Sequence, residues 1–171
     1  VTELDRQGED CHVVAINREN KEERPYGKVH ITPRPGRWNV ARLWYRILAT
    51  TGLWGEVETH KRPVLRHRVR GCLENLEPDV VHAQFGPEGV IMGPVTTALD
   101  IPLVVTFHGY DVSRLPRREE VRARYQKLFE QADTLIGVSE HNTEKLKALG
   151  APEEKARTIY NGVQIDQFVY S

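Results

Sequence analysis

The amino-acid sequence predicts an α/β fold built on a parallel β-sheet that is flanked by helices. Beyond position 79, short apolar runs alternate with longer amphipathic stretches, which is typical of repeated β-α units. The apolar runs at 80–83, 103–107 and 134–138 are continuous, as expected of strands that helices cover on both faces. The 171 residues, 39% of them hydrophobic and 28% charged, suit one globular domain.

The individual elements are predicted in order along the chain. Residues 1–7 are expected to end a helix that Gly8 stops, because glycine readily takes the positive φ of a helix C-terminus. The last helix, 140–149, has Ser139 as its candidate N-cap and Gly150 as its stop. Besides these we predict strands at 11–16 and 29–32, helices at 38–54 and 63–76, a strand at 80–83, a helix at 90–99, a strand at 103–107, a helix at 119–131, and strands at 134–138 and 157–160.

The net charge is zero, but basic residues are concentrated in the middle of the chain. Residues 37–71 contain 8 Lys or Arg against 2 Asp or Glu. One hypothesis is that this basic segment rests on anionic lipid or receives a lipid-linked diphosphate. The alternative is a pair of packed helices with solvated arginines. Nothing in the overall charge indicates a nucleic-acid partner. The residues concerned are Arg37, Trp38, Arg42, Trp44, Arg46, Trp54, Arg62, Arg66, Arg68 and Arg70.

The two cysteines, Cys11 and Cys72, favour a reducing compartment. Two cysteines do not make a disulfide framework in a chain of this length, and neither belongs to a pair spaced for zinc. No stretch reaches the roughly 20 apolar residues that span a bilayer, and no signal peptide is recognised. We therefore expect a cytoplasmic protein, with peripheral contact at the inner face of the membrane as the further hypothesis that the basic segment raises.

Polar and glycine-rich segments follow three of the predicted strands. They are residues 84–89, residues 108–111, and Ser139 with Glu140. The carboxyl ends of parallel strands meet at one edge of the sheet, where open α/β sheets bind their ligands. These segments are therefore candidate ligand-binding loops.

Several of these residues have a structural interpretation beside the functional one. His108 either faces a ligand, with Gly109 giving room for its approach, or caps the strand. Asp111 either contacts a ligand or holds backbone N–H groups in an Asx-turn. We expect His82 to be a core histidine, because it lies inside a strand that should be buried. Residues 85–89 are equally consistent with an ordinary strand-to-helix turn.

No metal site is expected. His82, His108, Asp111 and Glu140 lie on separate strand ends, without a His-x-x-x-His or Cys-x-x-Cys pair to support coordination. The G-x-S-x-G pattern of a hydrolase nucleophile is also missing from the sequence.

Four motifs, in order, resemble the N-terminal domain of family-4 (group 1) glycosyltransferases. They are Pro78-Asp79-Val80-Val81-His82-Ala83-Gln84-Phe85-Gly86, Thr106-Phe107-His108-Gly109-Tyr110-Asp111, the segment from Ala132-Asp133 to Val138-Ser139-Glu140, and Tyr160-Asn161-Gly162-Val163. The resemblance covers residues 72–168 well and residues 1–16 loosely. The Phe-Gly-Pro-Glu-Gly and His-Gly-Tyr-Asp forms are similar to those of colanic-acid and amylovoran-type exopolysaccharide enzymes.

The resemblance implies one half of a two-domain GT-B enzyme with a Rossmann-like fold. On this view residues 1–160 form the acceptor-side domain without its first strand, residues 161–171 begin the interdomain linker, and the donor-binding C-terminal domain lies outside this chain. Such enzymes take a nucleotide-sugar donor and a glycan acceptor, expected here to be lipid-linked. They retain anomeric configuration and need no metal or other cofactor.

The resemblance also assigns expected roles to residues. His108 is the expected catalytic residue, because the matching histidine of the family lies beside the donor sugar. Asn161 and Gly162 match the segment that leads into the interdomain crossover and are the expected hinge. Gln164 departs from the family pattern, in which Asp is usual at this position. From their place at the carboxyl edge of the sheet, and not from the resemblance, the expected substrate-binding residues are Phe85, Gly86, Glu88, Gly109, Tyr110, Asp111, Ser139 and Glu140.

Two other functions remain open at this point. A noncatalytic carbohydrate- or partner-binding module can share the same fold. A sugar-nucleotide epimerase of the GT-B type is the second alternative, although the His-Gly-Tyr-Asp and Asn-Gly-Val motifs fit it less well. If the chain is part of a glycosyltransferase, it is expected to be inactive by itself, since a site split across two domains loses the positioning that catalysis needs.

Overall fold

The computed structural model describes residue 4 and residues 6–15, 26–32 and 61–162. The chain forms two compact units, residues 1–77 and residues 78–171, which are described separately below. The helix predicted at 38–54 lies outside the described residues.

The first unit contains a pair of short parallel strands and one long helix. Strand β1 (Val13–Ala15) pairs with β2 (Val29–Ile31) so that Val14 lies opposite His30. The predicted helix end at Gly8 is confirmed, because Gly8 has φ 94° and the carbonyl of Leu4 accepts from the N–H groups of Gln7 and Glu9. Both strands are shorter than predicted.

Helix α1 (Lys61–Leu76) confirms the helix predicted at 63–76. Its buried residues Leu65, Val69 and Leu73 are spaced four apart, so they form one apolar stripe. On the exposed side Arg70 pairs with Glu74 one turn later, with Nε 2.7 Å from Oε1. The mixture of apolar and basic residues in this segment is thus the pattern of an amphipathic helix.

The second unit is built on a four-stranded parallel sheet, as predicted. Its strands are β3 (Val81–Gln84), β4 (Leu103–Phe107), β5 (Thr134–Gly137) and β6 (Ala156–Thr158). They lie in the order β3-β4-β5-β6, and every neighbouring pair is parallel. All four carboxyl ends therefore meet at one edge of the sheet.

Five helical segments connect and flank the strands. They are α2 (Gly86–Leu99), α3 (Tyr110–Ser113), a 3₁₀ turn (Leu115–Arg117), α4 (Glu119–Gln131) and α5 (Glu140–Ala148). Helix α2 begins four residues before the predicted start, and α3 with the 3₁₀ turn was not predicted. Both differences fall at the carboxyl edge of the sheet. None of the helices in the described ranges is long and apolar enough to cross a membrane.

The core of the second unit is an aromatic cluster under the sheet edge. Phe107 meets Tyr125 edge-on at a centroid distance of 5.7 Å, and Phe129 lies 6.1 Å from Tyr125. All three side chains are buried. Around them pack the apolar residues Ala83, Val90, Leu103, Val105, Val112, Leu128, Ala132, Leu135, Leu146 and Ala151.

Two glycines allow helices to lie directly on this core. A Cβ at Gly86 would be 2.5 Å from both Phe107 Cε1 and the Tyr125 hydroxyl. A Cβ at Gly137 would be 2.5 Å from Thr143 Oγ1 and 2.6 Å from the Thr143 backbone nitrogen. The start of α5 is therefore seated against the bare backbone of β5, and this contact fixes where Ser139 and Glu140 lie.

We predict that Gly137→Ala lowers the free energy of unfolding by about 2 kcal/mol, because the new methyl meets backbone as well as a side chain and α5 must shift. Urea unfolding followed by fluorescence measures the change. Gly162→Ala is the control, since among the described residues no atom outside its chain neighbours lies within 4 Å of the added Cβ. Equal stability of the two variants would contradict the seating of α5 described here.

Candidate functional site

The carboxyl edge of the four-stranded sheet brings most of the predicted site residues together. Gln84 ends β3 and lies opposite Thr106 of β4 in the parallel register. His108 follows directly after β4, so it stands next to Gln84 and Phe85. The neighbourhood of His108 is the candidate functional site.

Asp111 is the buried centre of this edge, with 1% of its surface exposed. Its Oδ1 accepts from the backbone N–H groups of His108 at 2.9 Å and Gly109 at 3.0 Å. Its Oδ2 accepts from the N–H of Gly86 at 3.0 Å, the first residue of α2. Of the two interpretations of Asp111, the geometry is that of a carboxylate that holds the loop, and it also caps α2 from 25 residues away.

Tyr125 supports the same turn from below. Its hydroxyl donates to the backbone carbonyl of Asp111 at 3.0 Å inside the core. Burial raises the pKa of Tyr125 above its usual value of 10.0, and the negative charges of Asp111 and Glu88 raise it further. The phenol therefore stays neutral and keeps its donor pointed at the loop.

A chain of hydrogen bonds links the imidazole of His108 to the neighbouring strands. His108 Nε2 lies 2.9 Å from Gln84 Oε1, and Gln84 Nε2 lies 3.3 Å from His82 Nε2. His82 Nε2 is in turn 2.7 Å from the hydroxyl of Thr106. Partial burial lowers the pKa of His82, and so does the nearby His108.

The prediction that His82 is a core residue is wrong. Side chains alternate along a strand, and Ala83 takes the buried position on β3. His82 and Gln84 consequently point to the other face, where both residues are exposed. The sequence analysis assumed that helices cover both faces of β3, whereas the described residues of the second unit bury only one.

Phe85 has an unusual backbone that directs its ring towards His108. Its φ is 78°, a value that bulky L-residues rarely adopt. The ring lies 4.4 Å from the His108 imidazole, inclined by 41°, and 46% of the residue is exposed. Gly109 also has a positive φ, 110°, which only glycine takes easily. Such strain is characteristic of functional sites, and here it holds an aromatic ring out of the core.

The other predicted residues lie at the same edge without contacting His108. Ser139 is the N-cap of α5 and accepts from the N–H of Asn142 at 3.2 Å, as predicted from its position. Glu140 and Tyr110 are exposed in the first turns of α5 and α3. In the part of the chain that the structure describes, no hydrogen bond or ring contact joins them to His108. Exposed members of the edge also include Glu88, Tyr160, Asn161 and Gly162.

Gln84 belonged to the candidate loop 84–89 but was given no role of its own, and Thr106 was missed by the sequence analysis. Gln84 was the first residue after the predicted strand 80–83, so its position was a usable signal. Thr106 gave none, because it lies inside an apolar run. Over the described ranges, no group of three or more His, Cys, Asp or Glu side chains is arranged to hold a metal ion.

A parallel sheet flanked by helices, with a polar carboxyl edge, defines a Rossmann-like α/β protein, a class in which ligands commonly bind at that edge. The fold is shared with UDP-N-acetylglucosamine 2-epimerase from Rickettsia bellii, with a TM-score of 0.53 over 91% of this chain and 45% of that chain. At 14% identity the likeness shows the fold alone. The predicted fold class is confirmed.

The family is shown by the sequence. The model of Glycosyltransferase Family 4 matches residues 1–167, so the chain belongs to this family, as the resemblance indicated.

Curated proteins of similar sequence are also named as glycosyltransferases. The chain is 31% identical over 104 residues to a protein of Salmonella typhimurium named as the colanic acid biosynthesis glycosyltransferase WcaL, covering 58% of this chain and 26% of that protein. It is 32% identical over 92 residues to the amylovoran biosynthesis glycosyltransferase AmsK of Erwinia amylovora, covering 53% and 23%. The matched part thus spans about a quarter of the length of these relatives.

We predict that Asp111→Ala lowers the free energy of unfolding by roughly 3 kcal/mol or more, because three backbone N–H groups lose a charged acceptor. Asp111→Asn should cost less, since the amide oxygen replaces one carboxylate oxygen while its NH₂ group faces another donor. Urea unfolding gives the stabilities, and hydrogen exchange of Gly86, His108 and Gly109 reports the local opening. Asp79→Ala, at an exposed position, is the control and should stay within about 0.5 kcal/mol of wild type.

Tyr125 gives a prediction for alkaline pH. A folded-state pKa above that of the unfolded chain means that stability is intact below pH 10.0 and falls as pH rises further, because only the unfolded tyrosine ionises there. Wild type should lose about 1.4 kcal/mol more per pH unit above this point than Tyr125→Phe. Urea unfolding between about pH 9 and pH 11 measures both slopes. Tyr110→Phe, at an exposed position, should keep the wild-type slope, and a wild-type slope in Tyr125→Phe would refute the assignment.

Proposed function

We propose that the full-length protein transfers a sugar from a nucleotide-sugar to a growing, lipid-linked polysaccharide with retention of anomeric configuration. Membership of Glycosyltransferase Family 4 supports the reaction class. The names of WcaL and AmsK support a polysaccharide product, since both are named for exopolysaccharide biosynthesis. A Bacillus subtilis relative, named as the teichuronic acid biosynthesis glycosyltransferase TuaC, is 29% identical over 131 residues. Its name also supports a glycosyltransferase of polymer biosynthesis.

The observation that carries the proposal is the immobilised imidazole of His108 at the carboxyl edge. Its backbone N–H is held by Asp111, its Nε2 by Gln84, and one ring face by Phe85. A hydrogen-bonding group that is fixed before substrate arrives costs little entropy when it orients a sugar. His108 is accordingly the residue we place beside the reacting sugar.

Exposed aromatic rings at the same edge suit a carbohydrate ligand. Phe85, Tyr110 and Tyr160 have 46%, 67% and 64% of their surfaces exposed. Aromatic side chains offer apolar faces for packing, and tyrosine adds a polar tip for hydrogen bonding. A sugar has both apolar C–H faces and hydroxyl groups, so this edge is chemically matched to it.

The proposed division of labour rests on the resemblance to the family and agrees with the match to about a quarter of the length of WcaL and AmsK. In this proposal the chain supplies the acceptor side, and the nucleotide of the donor is bound mainly by a second domain reached through the hinge at Asn161 and Gly162. The leaving diphosphate is then stabilised chiefly by basic groups and helix N–H groups of that second domain, without a metal ion. The basic segment at 37–71 is the proposed contact for the lipid diphosphate at the membrane surface.

The test is sugar-nucleotide turnover by the full-length protein, with UDP-, GDP- and ADP-sugars and polyprenyl-diphosphate glycan acceptors. We expect one donor to be consumed and His108→Ala to lower kcat/KM at least tenfold, equivalent to about 1.4 kcal/mol of transition-state stabilisation. NMR of the product compares the anomeric configuration of the transferred sugar with that of the donor.

His12→Ala is the matched control, because His12 is an exposed histidine of the first unit whose ring also makes a hydrogen bond, to His30 at 2.8 Å. Its kcat/KM should stay within about twofold of wild type. Turnover that His108→Ala leaves unchanged would keep the reaction class and remove the assignment of His108. An inverted product would refute retention, and a folded full-length protein that consumes no donor would favour a noncatalytic binding module.

A further inference from the structure

The side-chain amide of Gln84 is bonded on both sides by imidazoles. Its Oε1 lies 2.9 Å from His108 Nε2, and its Nε2 lies 3.3 Å from His82 Nε2. An amide oxygen can only accept a hydrogen bond, and an amide NH₂ can only donate one. In this orientation of the Gln84 amide, the geometry pairs a protonated His108 Nε2 with an unprotonated His82 Nε2.

The second contact of His82 agrees with this assignment. Its Nε2 is 2.7 Å from the hydroxyl of Thr106, which can donate to it. The single lone pair of this nitrogen is shared, with the Thr106 hydroxyl at 2.7 Å as the main donor and the Gln84 amide at 3.3 Å as the weaker one. Although His82 is exposed as a residue, partial desolvation of its ring lowers its pKa, and so does the nearness of His108, so a neutral His82 is favoured in this arrangement.

The remaining nitrogen of His108 is then an acceptor. A neutral imidazole has one protonated nitrogen, so a proton on Nε2 leaves the lone pair on Nδ1. Among the described residues, none makes a hydrogen bond to Nδ1. The ring of Phe85 covers one face of the imidazole at 4.4 Å, and Asp111 holds the backbone, so the ring has little freedom to turn.

We propose that Gln84 is a positioning residue that sets the tautomer of His108, with the proton on Nε2 and the lone pair on Nδ1, so that Nδ1 accepts a hydrogen bond from a hydroxyl of the bound sugar. The sugar hydroxyl rests on the proposed function, whereas the tautomer does not. Without Gln84 the neutral imidazole would exchange between two tautomers, and only one of them accepts at Nδ1.

The first experiment reads the tautomer directly in the full-length protein labelled on histidine with ¹⁵N and ¹³C. The ring ¹⁵N and ¹³Cδ2 shifts show which nitrogen bears the proton, and the signals of His108 are those lost in His108→Ala. The measurement is made at about pH 8.5, where an ordinary imidazole is neutral. We expect the proton on Nε2 in wild type.

Three variants show whether Gln84 causes this state. Gln84→Met keeps the length of the side chain but has no amide, so the two tautomers should mix. Gln84→Glu keeps an oxygen acceptor facing Nε2 and should preserve the wild-type tautomer. Gln126→Ala, which removes an exposed glutamine of α4, is the control and should leave the His108 signals unchanged.

The second experiment measures kcat/KM with the natural donor and with its monodeoxy analogues. In wild type, removal of the hydroxyl that Nδ1 accepts from should cost about tenfold, or about 1.4 kcal/mol. Gln84→Met should lose a similar factor with the natural donor and should then discriminate little between the donor and that analogue. Gln84→Glu should retain most of the discrimination.

The outcomes separate the inference from the proposed function. A proton on Nδ1 in wild type, or a tautomer that Gln84→Met leaves unchanged, overturns the proposal. If the loss of kcat/KM caused by Gln84→Met and the loss caused by removing a sugar hydroxyl are additive for every deoxy donor, the proposed hydrogen bond from the sugar hydroxyl to Nδ1 is refuted. If no donor is turned over, the hydroxyl part falls with the proposed function, while the ring shifts still decide whether Gln84 sets the tautomer.

Discussion

The site is organised around the buried carboxylate of Asp111. Its two oxygens accept from three backbone N–H groups, two in the loop after β4 and one at the start of α2. These donors belong to segments that are distant in the chain, and burial without an acceptor would cost each of them free energy. One side chain therefore fixes both the position of His108 and the first turn of α2. The hydroxyl of Tyr125 secures the same residue through its carbonyl, which ties the site to the aromatic core.

This arrangement explains why a rigid imidazole can stand at an open edge of the protein. The loop that carries His108 is held by the Asp111 carboxylate and the Tyr125 hydroxyl, so the imidazole ring itself is not needed to stabilise the core. Its neighbours Gln84 and Phe85 act from the sides, and both are exposed. The residues that stabilise the loop and the residues proposed to contact a ligand are thus different, although they lie only a few positions apart.

The sequence was sufficient for the fold because the signals that define it are local. The strand at 103–107 and the helix at 119–131 were predicted with their observed bounds. A continuous apolar run indicates a buried strand, and an amphipathic stretch indicates a helix, without information from the rest of the chain. The start of α2 was missed because its cap, Asp111, lies 25 residues away. The four residues of α3 are too few to show a helical period. The hydrogen-bonded chain from Thr106 to His108 depends on the register of β3 against β4 and on which face of β3 is covered. Neither of these can be predicted from one short segment of the sequence.

The order of the strands in the second unit also has a consequence for how the protein is made. Each of β4, β5 and β6 pairs with the strand that precedes it in the chain, so no strand of this sheet has to wait for a later one to fill a gap. Contacts between neighbouring β-α units keep loop closure short, which favours rapid folding. During synthesis, the sheet can therefore grow one strand at a time as the chain leaves the ribosome, with β3 as the template and each new helix covering the strand just added.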